Sequence, residues 1–173
     1  MWTPQYSVIN SRAIAENLLT YFEANQVEAL LWAHGTALKP IARFENSRAN
    51  VNEPVYPAIL FSDDNEQIEF GDDLLTGAYS CLFLVMVQSP VAATATLNAR
   101  SYAKAILSMI ANCGSADADD LELNVGCTPN TITLQNAQVG FDQIKSNDAG
   151  NDFMQQFEVR ATYTMSLGNY EQP

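Results

Sequence analysis

Residues 157–167, Phe-Glu-Val-Arg-Ala-Thr-Tyr-Thr-Met-Ser-Leu, alternate without a break. Phe157, Val159, Ala161, Tyr163, Met165 and Leu167 fall on one side, and Glu158, Arg160, Thr162, Thr164 and Ser166 on the other. Successive side chains of an extended chain point to opposite faces, so a period of two makes a strand with one buried and one wet face. Such a strand belongs in an antiparallel sheet, because parallel strands are covered on both sides. The segment before it, 131–141, alternates as well, but its apolar phase runs Ile132, Leu134 and then Ala137, Val139, Phe141. A slip of one residue predicts a β-bulge near Asn136. With the loop 142–152 between them, including Asn147-Asp148-Ala149-Gly150-Asn151, the two runs make a closing antiparallel hairpin.

Further upstream, 78–88 reads AYSCLFLVMVQ, apolar at nearly every position. That is the pattern of a central strand covered on both faces, and Pro90 stops it. Ala58-Ile59-Leu60-Phe61 is a shorter apolar run ahead of an acidic turn, Ser62-Asp63-Asp64-Asn65, from which 67–70 is expected to pair back; Gly71-Asp72-Asp73 and Gly77 bracket the next turn.

Two segments carry helical spacing instead. Over 11–33, Ile14, Leu18, Leu19, Phe22, Val27, Leu30 and Leu31 form an apolar face, Asn10 or Ser11 can cap its start, Gly35 its end, and a break is expected near Asn25-Gln26. Over 95–112, Leu97, Tyr102 or Ala103, Ile106, Leu107 and Ile110 make a stripe, with Thr94 or Thr96 as cap and Cys113-Gly114 as stop. Between 36 and 57, Pro40, Pro54 and Pro57 forbid regular structure and imply a long surface excursion. An acidic, small-residue linker occupies 114–130. The order α–β–β–β–α–β–β gives an α+β, two-layer domain over 1–173, a mostly antiparallel sheet of about five strands with two helices on one face.

Of 173 residues 47% are hydrophobic and 16% charged, enough apolar content for one packed core and too much for a disordered chain. Asp and Glu number 20 against 8 Lys and Arg, a net charge of −12. Duplex nucleic acid is gripped by clustered cations that displace counterions, and the eight here are scattered, so neither nucleic acid nor an anionic membrane is an expected ligand. Cys81, Cys113 and Cys127 are odd in number and form no CxxC pair, which predicts reduced thiols in a cytosolic protein. No basic stretch followed by an apolar one opens the sequence, and no run of 18 apolar residues occurs, so neither a secretory signal nor a membrane span is expected.

Reactive groups are few. The one histidine, His34, sits just before Gly35, where an imidazole meets the carbonyl end of a helix, and it is expected to cap rather than react. No nucleophile-elbow glycines flank a serine and no glycine-rich phosphate loop follows a strand. Two acidic clusters, Asp63, Asp64, Glu66, Glu69 and Asp117, Asp119, Asp120, Glu122, lack the alternating ligands and sharp-turn glycine of a Ca²⁺ loop, and are expected to be solvated. No catalytic, cofactor-binding or metal-ligating residue is therefore expected. Tyr21, Phe22, Trp32, Tyr79, Phe83, Tyr102, Phe157 and Tyr163 lie on periodic segments and predict packing, whereas Trp2, Tyr6 and Tyr170 lie in aperiodic tails and predict contacts.

The element order, the motif Tyr56-Pro57-Ala58-Ile59-Leu60-Phe61 opening a strand after a long loop, the helix of 95–112 and the closing hairpin together resemble the tail terminator and related neck or tail-completion proteins of long-tailed bacteriophages. The resemblance spans about residues 11–168. It implies a non-enzymatic virion protein of the tail or neck, assembled in host cytoplasm, whose copies form a hexameric ring on the tail tube. Such a ring stops tube polymerisation and joins the tail to the neck or head connector, with tail sheath as a further partner if the tail contracts. DNA would pass the lumen without specific binding, to which acidic walls are suited. By position, 36–55, 62–76, 142–152 and the C-terminal tail are expected at ring and tube contacts. The alternatives are a head–tail stopper or connector, a tail-tube or baseplate protein, and, from another class, a small α+β hydrolase or ligand-binding protein with a concave polar site.

Overall fold

The computed structural model describes residues 11–45, 55–70, 75–113, 132–146 and 150–167. In chain order they form α1 (Ser11–His34), β1 (Arg43–Glu45), β2 (Ala58–Phe70), β3 (Leu75–Ser89), α2 (Ala92–Cys113), β4 (Ile132–Phe141), β5 (Lys145–Ser146) and β6 (Phe153–Leu167). The fold is α+β: two helices on an open, mostly antiparallel sheet ordered β1-β2-β3-β6-β4, with β5 also on β6.

β3 lies in the middle, as its continuous apolar run requires. It pairs antiparallel with β2 on one side and, from Leu75↔Leu167 to Ser89↔Phe153, with β6 on the other. One face of β3, with Tyr79, Cys81, Phe83, Val85 and Val87, joins Ile14, Leu18 and Phe22 of α1, Tyr102, Ile106 and Met109 of α2, and Phe157, Val159, Ala161 and Tyr163 of β6 in one core. Phe83 is fully buried, edge-on to Phe22 at 5.6 Å and tilted against Phe61 at 6.0 Å. Burying one such ring contributes about 1.5–3 kcal/mol. The opposite face is not simply wet: Ala58, Leu60, Leu84 and Met86 are buried there, flanked by Tyr56 and Met154.

The closing hairpin forms as its alternation requires, and β4 changes register against β6 between Leu134 and Asn136, where the phase slip falls. α1 ends on Gly35, whose φ of +82° only glycine adopts readily and whose N–H donates to the Leu31 carbonyl at 2.9 Å.

Four expectations are corrected. Residues 62–65 are no turn, and 67–70 do not pair back: β2 runs straight through to Phe70, absorbing the acidic stretch with a register shift between Asp63 and Asn65. The pairing that β3 offers along its whole length outweighs the low strand propensity of Asp and Asn. α1 does not break at Asn25-Gln26, because Asn25 Nδ2 bonds back to the Tyr21 carbonyl at 2.9 Å and Gln26 is engaged in the core. The 36–57 excursion is no mere surface loop: Ile41 is buried and β1 pairs parallel to β2, Arg43↔Ala58 to Glu45↔Leu60. α2 begins at Ala92, ahead of Thr94 and Thr96; the Val91 carbonyl accepts from Ala95 N–H at 2.9 Å, and Ser89 Oγ accepts the Val91 N–H. The strands number six among the described residues, β1 and β5 being too short to leave a periodic signal.

Candidate functional site

The chain between α1 and β2 is held at three points by side chains that sequence periodicity cannot show. Gln26, buried on α1, uses its amide as a strand would: Oε1 accepts from Ile41 N–H at 2.6 Å, and Nε2 donates to the Ile41 carbonyl at 3.3 Å. The Tyr102 hydroxyl of α2 donates to the Lys39 carbonyl, and Lys39 Nζ donates to the Tyr56 carbonyl at 2.7 Å. Ala42 N–H adds a bond to the carbonyl of Pro57, which follows a cis peptide.

This tethered wall, the end of β3 and the start of α2 enclose a cleft of about 540 Å³, lined among others by Lys39, Tyr56, Gln88, Asn98, Tyr102 and Asp152. Val55 on its wall is 47% exposed, as are Val91 (54%) and Leu97 (57%) beside its lining residues Pro90 and Asn98. Leu97 was expected in the buried stripe of α2, and Val27 and Leu31 on the apolar face of α1, yet all three are exposed. Lys39 and Tyr102 spend their polar atoms on backbone, and burial pushes the Tyr102 phenol up to about 12, so it stays protonated at neutral pH. The cleft is open, and its lining mixes polar and apolar side chains. The cleft wall carries no imidazole or thiol among the described residues.

His34 lies elsewhere, half-buried between the helices, and it has a partner that its helix-end position did not announce. Its Nδ1 is 2.9 Å from Ser101 Oγ on α2, and that hydroxyl donates to the Leu97 carbonyl at 3.2 Å. With the serine proton committed, Nδ1–H of the imidazole is the donor, which ties α1 to α2 and leaves the hydroxyl unactivated. Two residues back, Trp32, expected in core or interface packing, is 60% exposed and so outside the core, with the Lys104 ammonium 4.1 Å above its ring in a cation–π contact.

The other expected aromatics pack: Phe22, Tyr79, Phe83, Tyr102, Phe157 and Tyr163 are buried, and Tyr21 packs half-buried against them. Tyr163 is 1% exposed, and its hydroxyl has no hydrogen-bond partner among the described residues. Burial foremost, and the neighbouring Cys81 and Cys113 thiols, hold its phenol far above the usual range. Cys81 and Cys113 are buried, as expected of small apolar side chains.

Asp63, Asp64, Glu66 and Glu69 are strung along β2 rather than gathered in a loop, opposite β3 from Cys81 to Thr76; their side chains lie outside the described residues. Asp117, Asp119, Asp120, Glu122, Cys127, Trp2, Tyr6 and Tyr170 also lie outside them. Among the described residues no three His, Cys, Asp or Glu side chains gather as a metal site, and no helix is long and apolar enough to cross a membrane.

The sheet has two unlike edges. β4 has β6 as its one strand neighbour among the described residues. Beyond Leu60, β2 has β3 as its one strand neighbour among the described residues. Near the β4 edge, Phe141 is 48% exposed, tilted on Phe157 at 5.4 Å, and Ile144 is 37% exposed. There Gln155, buried on β6, donates to the Asp142 carbonyl, and Gln156 Nε2 donates to Asp142 Oδ2 at 2.7 Å, fixing the strand-to-strand connection.

No protein-family model matches the chain. None of the curated proteins matches it either. Among solved structures, a chain of the virion of a native gene transfer agent (GTA) particle is similar, with a TM-score of 0.45 and 14% identity, over 90% of this chain and 95% of that one.

Proposed function

We propose that the protein is a structural component of a phage-like virion, a single domain over 1–173 acting as a tail terminator: a ring of identical copies that ends the tail tube and offers the neck a surface to join. The observation that carries the reading is a sheet whose outer strands, β4 and β2 beyond Leu60, have no second strand neighbour among the described residues, built on strands β2, β3 and β6 of 13 to 15 residues. At about 3.4 Å per residue they extend roughly 44–51 Å, longer than either helix at 1.5 Å per residue. Open edges call for a covering strand, and closed cyclic assembly provides one for every copy.

The resemblance supports the same reading through features in their expected places: Tyr56-Pro57 ahead of β2, α2 after the central strand, and the closing hairpin. So does the net charge of −12, which keeps a duplex moving through a lumen rather than holding it. No residue is assigned a catalytic, cofactor or metal role.

Electron microscopy of the purified protein, alone and with tail tubes, tests the reading. A six-fold annulus on tube ends is the expected image, and deletion of the gene should leave overlong tails. Filled heads that leak DNA, with tails of normal length, would instead make the protein a head–tail stopper. A second reading, favoured by the cleft around Lys39 and Asn98, is a small ligand-binding or hydrolytic protein. Saturable binding of a small compound, lost on Asn98→Asp, by a chain that ignores tube ends would establish it.

A further inference from the structure

The two sheet edges differ in charge, and the difference selects what can pair with each. β4, Ile-Thr-Leu-Gln-Asn-Ala-Gln-Val-Gly-Phe, has neither a charged residue nor a proline among its ten residues, in a chain whose net charge is −12. Charges and proline are the usual guards of an exposed edge, and here only the bulge at Leu134/Asn136 is present. Within the β2 edge beyond Leu60, the nine residues 62–70 are the reverse, with Asp63, Asp64, Glu66, Glu69 and a register shift of their own. Two β2 edges brought together would set carboxylates opposite carboxylates, which is destabilising. A β4 edge sets none there. Its exposed Asn136 and Gln138 carry amide N–H groups that donate to carboxylates.

We infer that β4 of one copy pairs with the 62–70 stretch of β2 of a second copy of this chain. The inference rests on the ring reading, since unlike edges meet head to tail and such contacts close by rotation. The stretches match in length, nine residues against ten, about 31 and 34 Å at the antiparallel rise. Main-chain hydrogen bonds supply the contact, and the neutral edge removes the like-charge repulsion that otherwise keeps copies of so acidic a protein apart.

The test compares self-association of the full chain by sedimentation velocity, folding by far-UV circular dichroism, and amide exchange. Asn136→Asp with Gln138→Glu is nearly isosteric and places two carboxylates against the acidic edge; association should weaken at least tenfold. Asn136→Lys with Gln138→Lys, at the same exposed sites, should associate at least as tightly as the parent. β4 amides of the parent should gain protection on association. Equal losses in both variants overturn the pairing of unlike edges. Unchanged association in both, with rings still formed, overturns the β4 contact and leaves the ring standing. β4 amides equally protected in dissociated chains mean that the edge is closed within one copy, which also overturns it. A parent chain monomeric at all concentrations and indifferent to tube ends removes the ring reading itself. If the acidic variant does not fold, the lysine variant and the exchange of the parent chain decide.

Discussion

Tyr163 and Tyr102 are both buried tyrosines, and the structure gives their hydroxyls opposite circumstances. That of Tyr163 has no hydrogen-bond partner among the described residues, and a buried polar atom in that state costs about 1–3 kcal/mol. Tyr163→Phe is therefore expected to leave stability unchanged or raise it by up to about 2 kcal/mol in urea denaturation; a loss above about 0.5 kcal/mol would reveal a partner. That of Tyr102 donates to the Lys39 carbonyl, so Tyr102→Phe should lose about 0.5–1.5 kcal/mol at neutral pH. Both phenols hold their protons more firmly folded than unfolded, Tyr102 up to about 12 and Tyr163 in the same direction. Above the ordinary value of about 10 the unfolded chain ionises while the folded one does not, so the contribution of these phenols to stability is constant below about pH 10 and falls as the pH climbs towards 12. Tyr102→Phe should make that alkaline fall shallower, measured as unfolding free energy against pH.

At the scale of elements, the segment leading into β1 shows how one side chain organises a stretch without periodicity. Gln26 satisfies both the N–H and the carbonyl of buried Ile41. Gln26→Ala leaves those groups unpaired and should cost about 2–6 kcal/mol, twice the penalty of about 1–3 kcal/mol for one orphaned group. Amide exchange at Ile41 to Glu45 should rise before that of β3; uniform loss of protection would mean that β1 is not a separate opening unit. The β2–β3 hairpin shows the complementary case, in which an intrinsically poor strand sequence, 62–65, is carried by a strong neighbour.

For the whole molecule, charge sets the conditions of assembly. Twenty acids against eight bases repel one another in the compact chain and between copies. Raising NaCl from about 0.1 M to about 1 M shortens the Debye length from roughly 10 Å to roughly 3 Å, so the thermal midpoint should rise and self-association tighten. Thermal scans and sedimentation at both salts check this; weaker association at high salt would mean that specific ion pairs hold the copies together.

By itself the sequence determined the long elements and their sense: the alternation of β6, the phase slip that becomes the bulge at Leu134/Asn136, the doubly covered β3, the helices and the glycine stop of α1. Each is written in spacing, because burial of one face repeats with the period of the backbone. The tertiary structure alone decided the path of 36–45, the straight run of β2 through its acids, the His34–Ser101 tie and the exposure of Leu97 and Trp32. Those depend on which distant group arrives beside a residue, Gln26 beside Ile41 or Ser101 beside His34, and contacts across 15 or 67 positions leave no period to read. The unlike edges stand between the two. Their charges are plain in the sequence, but only strand order made edges of them.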